Sequence, residues 1–277
     1  MSEWSVEKTI FVNGQWQGGG DPETLHGARD IAQAFFEKYV QLPISEAVPL
    51  QVQSEIIGCE VLQEQISAAL QCLEQEPFDY LLTIGGGCDA DVASIAYMNR
   101  KYKGQLKVIW LDAHGDLNAP GESESHLFYG MPLRALMGGC PPISELIALP
   151  LLPNQILHIG GRDFDAAELN CIQEQRIVAL PVMDEVQLLD RMKHFCKDDP
   201  IYLHLDLDVL DPACFESTPL PVNNGMPYDC LIHLLRFIKG HCHFVGMGIF
   251  EYIPTEKGHQ KIAELIEFGK CMEAASR

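Results

Sequence analysis

The sequence predicts an α/β protein, a three-layer α/β/α sandwich with a mostly parallel central sheet, and three observations carry that expectation. Short β-type runs alternate with helical ones through most of the chain. The β-type runs are apolar throughout instead of alternating with polar residues, as expected of strands covered by helices on both faces. The length of 277 residues at 47% hydrophobic suits one large domain over residues 1–277 with a continuous core, and no linker composition divides it.

The elements follow in order. Residues 9–12 read as an opening strand and 18–20 as a Gly-rich loop. Ala28, Ile31, Phe35 and Tyr39 recur at helical spacing, and a second helical pattern covers residues 54–73. Six β-type runs then appear at 80–84, 106–111, 156–159, 176–180, 201–207 and 244–249, with helical patterns at 89–102, 166–173, 185–196 and 228–239 between them. Parallel sheets of this kind bind ligands beyond the carboxyl ends of their strands, so function is expected where the strands run out.

Composition narrows the function. Nineteen Lys plus Arg against 39 Asp plus Glu give a formal charge of −20, which repels nucleic acid and anionic membrane surfaces. Residues 1–8 have no apolar core of a signal peptide, and no segment reaches the length of a membrane span, so a cytoplasmic protein is expected. The ten cysteines show neither C-x-x-C nor framework spacing, which predicts reduced thiols, most of them small core residues.

The run 106–111 ends in Asp112-Ala113-His114-Gly115-Asp116, and the run 201–205 ends in Asp206-Leu207-Asp208. In extended chain residues two apart share a face, so Asp112, His114 and Asp116 converge, as do Asp206 and Asp208. Carboxylates so close repel or protonate unless cations sit among them, and a carboxylate-rich set with one imidazole suits hard or borderline divalent metals such as manganese. Alone, D-x-H-x-D is as readily a loop of solvated acids, and D-L-D before Val209-Leu210-Asp211-Pro212 a strand end and turn; at two strand ends together they are far more specific. A third run ends in Gly85-Gly86-Gly87-Cys88-Asp89, which lacks a phosphate-loop ending and places Cys88 where a helix opens. A helix start favours a thiolate, and from there Cys88 reaches a metal; the plainer reading is a packed core thiol.

These motifs resemble the ureohydrolase superfamily of arginase, agmatinase and formiminoglutamase, whose pattern is G-G-D-H-S, D-A-H-x-D, a Ser-Gly-Asn segment leading to H-G, D-x-D-x-x-D-P and a late Glu before Pro. The match runs over residues 80–255 in the expected order, closing with Glu251 before Pro254. The resemblance implies the arginase fold and hydrolysis of a guanidino or amidino group by a hydroxide held on one or two manganese ions. It implies Asp112, Asp116 and Asp206 on one ion and Asp112, His114, Asp206 and Asp208 on the other, with Asp116 and His114 taking part in catalysis. Glu251 matches the acid that pairs with the guanidinium, for which a carboxylate is the natural fork partner. Asn118 and Ser125 match positions that bind a substrate α-carboxylate, and Asp165 one that meets the α-amino group, which favours an amino-acid substrate over agmatine. The plain readings are a turn residue before Pro120 for Asn118 and helix capping for Asp163 and Asp165. The superfamily is often trimeric or hexameric, which implies a homo-oligomer.

Three positions depart from the pattern. Cys88 stands in place of a metal-binding His, Tyr129 in place of a His proposed to shuttle protons near the substrate, and Leu127 in place of an Asn. A Cys at the first ligand position, with the run from Asn13-Gly14-Gln15 to Gly27-Ala28-Arg29, resembles the Nω-hydroxy-L-arginine amidinohydrolase branch. A soft thiolate in place of imidazole weakens manganese there, and a less basic hydroxyguanidine needs less help from the metals. The alternatives are a degenerate ureohydrolase with a weakened metal site and a metallophosphoesterase. The latter shares D-x-H and has a late G-H-x-H like Gly240-His241-Cys242-His243, but leaves the D-L-D-V-L-D-P motif without a place; His241 and His243 read as structural residues at a strand start.

Overall fold

The computed structural model describes residues 7–270. In chain order the elements are β1 (Lys8–Asn13), α1 (Glu23–Phe35), β2 (Val40–Gln41), β3 (Val52–Gln53), β4 (Ile56–Ile57), α2 (Cys59–Gln75), β5 (Tyr80–Gly85), α3 (Val92–Lys101) and β6 (Lys107–Leu111). They continue as α4 (Pro132–Leu136), β7 (Ile156–Ile159), α5 (Ala166–Gln175), β8 (Val178–Leu180), α6 (Glu185–Cys196), β9 (Pro200–Asp206), α7 (Tyr228–His241), β10 (His243–Phe250) and α8 (Glu256–Lys270).

Eight strands form one sheet in the order β2-β1-β5-β10-β9-β6-β7-β8, and every pairing in it is parallel. Strand residues divide by parity between two apolar layers. On one side Leu81, Val108, Trp110 and Tyr202 pack with Leu62 and Ile66 of α2, Ile95 of α3 and Leu133 of α4. On the other, Leu82, Ile109, Leu203 and Met247 pack with Ile31 of α1, Met192 of α6, Leu235 of α7 and Leu265 of α8. Truncating such a fully buried side chain costs about 2–5 kcal/mol. The three-layer α/β/α expectation is met, and among the described residues no helix is long and apolar enough to cross a membrane.

Several element boundaries differ from the expectations. Residues 54–57 are not helical: Ser54 and Glu55 both take left-handed backbone (φ 52 and 61) and turn the short β3–β4 hairpin, so α2 starts at Cys59. Tyr39 lies beyond the end of α1. Arg176 caps α5 in left-handed backbone, so β8 begins only at Val178. The helical pattern from residue 89 is a 3-10 turn, Cys88–Asp91, followed by α3. His241 ends α7, stacked on Phe237, and His243 opens β10. Both lie at the amino edge of the sheet, away from the strand ends that hold the clustered acids. Cys271 lies outside the described residues.

Candidate metal centre and its mouth

Four neighbouring strands, β5, β10, β9 and β6, end side by side, and each delivers part of the site. Past β5, the Gly85–Gly87 run bends against the continuation of β1. Gly86 N–H donates to Asn13 O at 3.0 Å, and a Cβ at Gly86 would fall 2.2 Å from Gln15 O, so only glycine permits the approach. Cys88 then opens the 3-10 turn, buried. Glu251 follows β10 directly in left-handed backbone (φ 60), and Asp116 shares that conformation (φ 57). Non-glycine residues held there cost about 1–3 kcal/mol each, a strain that tends to collect at functional sites.

The carboxylates are pinned one oxygen at a time. Asp112 Oδ1 accepts from His114 N–H at 2.7 Å and its Oδ2 from the Trp110 indole at 3.0 Å. Asp206 Oδ1 accepts from Asp208 N–H at 2.7 Å, and Asp208 Oδ1 from Ala113 N–H at 2.9 Å. These bonds leave Asp208 Oδ2 to meet His114 Nδ1 at 2.8 Å and Asp206 Oδ2 to accept from the Cys88 thiol at 2.9 Å. Three groups of donor atoms, each within 4.8 Å of one another, result: Asp112–His114–Asp208, Cys88–Asp206–Glu251 and Cys88–Asp112–His204. Asp116 belongs to none of the three, but it is buried, and its Oδ2 has no hydrogen-bond partner.

The electrostatics are those of a charge sink. Burial pushes Asp116 and Asp206 well above the carboxylate range, with Asp112 adding to both and Asp208 to Asp206. Burial and Asp112 raise Asp208 as well. Burial would raise Asp112 too, but the hydrogen bond and charge of His114 hold it at about 2. His114, which burial alone would depress, is carried up to about 12 by Asp112 and Asp208. The cluster therefore gathers positive charge, and a divalent cation satisfies it in place of protons. Oxygen-rich donors with imidazole, and an unpartnered buried carboxylate oxygen, fit manganese. Burial, then Asp206, Asp112, Asp116 and Glu251, push the Cys88 thiol well up, against the thiolate that the start of the turn favours.

Outside the cluster lies a cavity of about 530 Å³ lined by His114, Asp116, Asn118, Ser125, Tyr129 and Asp165, among others. Asn118 Nδ2 donates to Asp165 Oδ2 at 2.7 Å, leaving Asn118 Oδ1 without a partner. Ser125 Oγ lies 3.3 Å from Ser123 Oγ. Asp165 also caps α5 in a capping box with Glu168, so its plain reading coexists with a place in the cavity wall. Tyr129, half-buried, lines both this cavity and the narrow cleft shared by Cys88, Asp206 and Glu251.

The sequence expectations omit four residues close to the cluster: Trp110, His204, Asp91 and His158. His204 precedes Asp206 by two on β9, so strand periodicity alone puts it on the same face. His158 Nε2 meets His114 O at 2.7 Å and braces the loop after β6.

A parallel α/β sheet with clustered acids, an imidazole and a thiol at four adjacent carboxyl ends is the layout of a metal-dependent hydrolase. The model of the arginase family matches residues 20–268. The arginase of Staphylococcus aureus (strain COL) is 34% identical over 230 residues, 79% of this chain and 74% of that protein. Entamoeba histolytica arginase in complex with L-ornithine shares the fold with a TM-score of 0.87 at 20% identity, over 96% of this chain and 99% of that one. Proclavaminate amidino hydrolase from Streptomyces clavuligerus shares it at 0.73 and 20%, over 95% and 90%. The chain belongs to the arginase family, binuclear-metal hydrolases acting on C–N bonds in amidines.

Proposed function

We propose that this chain hydrolyses a guanidino or amidino group on a small amino-acid-like molecule, using one or two manganese ions held by Cys88, Asp112, His114, Asp116, Asp206 and Asp208. The observation that supports it is the convergence of Cys88, Asp112, His114, Asp206, Asp208 and Glu251 at four adjacent strand ends, with Asp116 lining the same cleft. A bound divalent cation would lower the pKa of a water enough to supply a nucleophile near neutral pH and would neutralise the carboxylates around it.

The protein groups do the rest. Glu251 Oε1 is held by Cys88 N–H at 3.2 Å, and its carboxylate accepts N–H bonds from the planar guanidinium, fixing the amidine carbon. Burial and the nearby Asp89 raise Glu251 well above its ordinary range, and a cationic substrate beside it would favour the ionised form. Water adds to that carbon and the C–N bond to the remainder breaks. Asp116, once bound cations ionise it, would take the proton from the water at its otherwise unpartnered Oδ2 and return it to the departing amine, while His114 stabilises the polar cluster beside it. Asn118, Ser125 and Asp165 hold the amino-acid end, and Tyr129 closes the path between mouth and centre.

A second reading of the tail has its own observation. Among the described residues the cavity wall carries Glu122, Glu124, Asp163, Asp165 and Glu168 but no Lys or Arg, which favours a substrate with a second positive charge. Manganese-loaded protein offered L-arginine, Nω-hydroxy-L-arginine and agmatine decides. Ornithine from either amino acid with little agmatine turnover supports the first reading, and preferred agmatine turnover supports the second. No hydrolysis of any guanidino compound refutes both. We also propose a cytoplasmic, homo-oligomeric enzyme; the cysteines within the described residues are free thiols, as a reducing compartment requires.

A further inference from the structure

We propose that His204 is a metal ligand, supplying to the Cys88 half of the centre the imidazole that Cys88 itself does not provide. The assignment rests on the metal-centre reading above and extends it to a residue outside the family motifs.

The geometry starts from the pleat. Tyr202, His204 and Asp206 point to one face of β9, and Trp110 and Asp112 to the same face of β6, with Trp110 paired to His204 across the ladder. The His204 ring is fully buried between two aromatic planes: Trp110 with ring centroids 3.5 Å apart and Phe250 at 4.7 Å, each tilted by 11°. Gly248, opposite His204 on β10, makes this possible. A Cβ there would meet the Phe250 ring at 2.3 Å and Asp91 Oδ2 at 3.0 Å. The ring can neither flip out nor rotate, so its two nitrogens have fixed directions.

Nδ1 faces Asp91 Oδ2 at 2.9 Å, and Asp91 Oδ1 accepts from Tyr202 OH at 2.7 Å. A carboxylate already accepting from a phenol calls for the proton on Nδ1, which leaves the Nε2 lone pair directed the other way. There it meets Cys88 Sγ at 3.3 Å, and Nε2, Sγ and an Asp112 oxygen lie within 4.8 Å of one another. A carboxylate orienting the far nitrogen of an imidazole is the arrangement that fixes metal-binding histidines. A merely structural histidine needs Asp91, but not a lone pair turned toward a thiol and a carboxylate.

The test uses the full chain loaded with cobalt(II), read in two ways. Near-ultraviolet thiolate-to-cobalt absorption follows occupancy beside Cys88. Proton NMR detects the paramagnetically shifted N–H of any imidazole bound to the ion. The expected result is a shifted, slowly exchanging imidazole N–H that survives His114→Ala, since it belongs to His204 Nδ1 shielded by Asp91. Asp91→Asn, which leaves the ring sandwich intact, should weaken cobalt at the thiolate-reporting position about 10–100-fold. His204→Asn should remove the signal, and the first two measurements stand even if that variant does not fold. Cobalt uptake with every shifted imidazole signal lost in His114→Ala overturns the ligand role of His204 alone. No cobalt uptake overturns that role and the metal-centre reading together.

Discussion

The two halves of the centre are built differently. Around His114 the donors are two carboxylates and an imidazole, partly open to the cavity, with His114 in contact with Asp112 and Asp208. Around Cys88 the donors are a thiol, carboxylates and a second imidazole, buried beneath the first half. On the proposed reading the open half has a hard donor set that suits manganese, whereas the buried half has sulfur where the resembled motif has an imidazole. Of the departures from the resembled motif, Cys88 lies in the deeper position and Tyr129 lines the mouth, so on the proposed reading the divergence touches metal retention and substrate contact alike.

The comparison breaks most completely at Asp206, which accepts from the Cys88 thiol of one half and from the N–H of Asp208 in the other. Asp206→Asn should release metal and abolish turnover, measured as bound manganese and guanidino hydrolysis; full occupancy and activity would sink the shared centre. Next comes Glu168, beside the open half, which burial carries up to about 7 against the pull of N–H bonds from Asp165 and Leu117. A carboxyl raised from 4.5 contributes stability that is complete below pH 4.5 and lost as pH rises through about 7. Parent protein should thus lose up to about 3 kcal/mol relative to Glu168→Gln between pH 4.5 and pH 8, measured by urea unfolding. An unchanged difference across that range would show that Glu168 titrates alike in the folded and unfolded chain.

Cys88→His sharpens the contrast by making the buried half resemble the open one. Manganese affinity there should rise about 10-fold or more, and purified protein should retain more metal per chain, read by metal analysis. If Cys88 only packs, metal content will not change, and Cys88→Ser will be equally silent. The smallest effect is expected at the mouth. Asp165→Asn keeps a good helix cap and removes one charge, so KM for an amino-acid substrate should rise about 10-fold with melting temperature nearly constant. Unaltered KM would return Asp165 to capping alone.

Legibility follows physics. Strands β5, β6, β7, β9 and β10 were readable to within a residue or two because doubly covered strands are continuous apolar runs. Two-residue β2 is too short to leave a pattern, and the β3–β4 hairpin turns on left-handed Ser54 and Glu55, neither a usual residue for that backbone. Helix α8 is missing from the expectations although Ile262, Leu265 and Ile266 mark its buried stripe. In the site, D-x-H-x-D and D-L-D announce themselves because two residues of strand period separate their donors. His204 obeys the same period but sits inside an apolar run, where a histidine reads as core. Asp91 and Trp110 acquire meaning only once the register is known, since their roles depend on β6 and β9 lying side by side.

The indole stacked on His204 also turns the buried half into something that can be watched. Of three tryptophans in the chain, Trp110 donates to Asp112 and lies face to face with an imidazole of the candidate centre. Its emission senses the charge and hydrogen bonding of both partners, so cation uptake can be followed as a change in intrinsic fluorescence, without dye, label or substrate. The same ring pair gives stopped-flow access to how quickly an ion reaches the floor of the site, a rate that turnover measurements would never separate from chemistry.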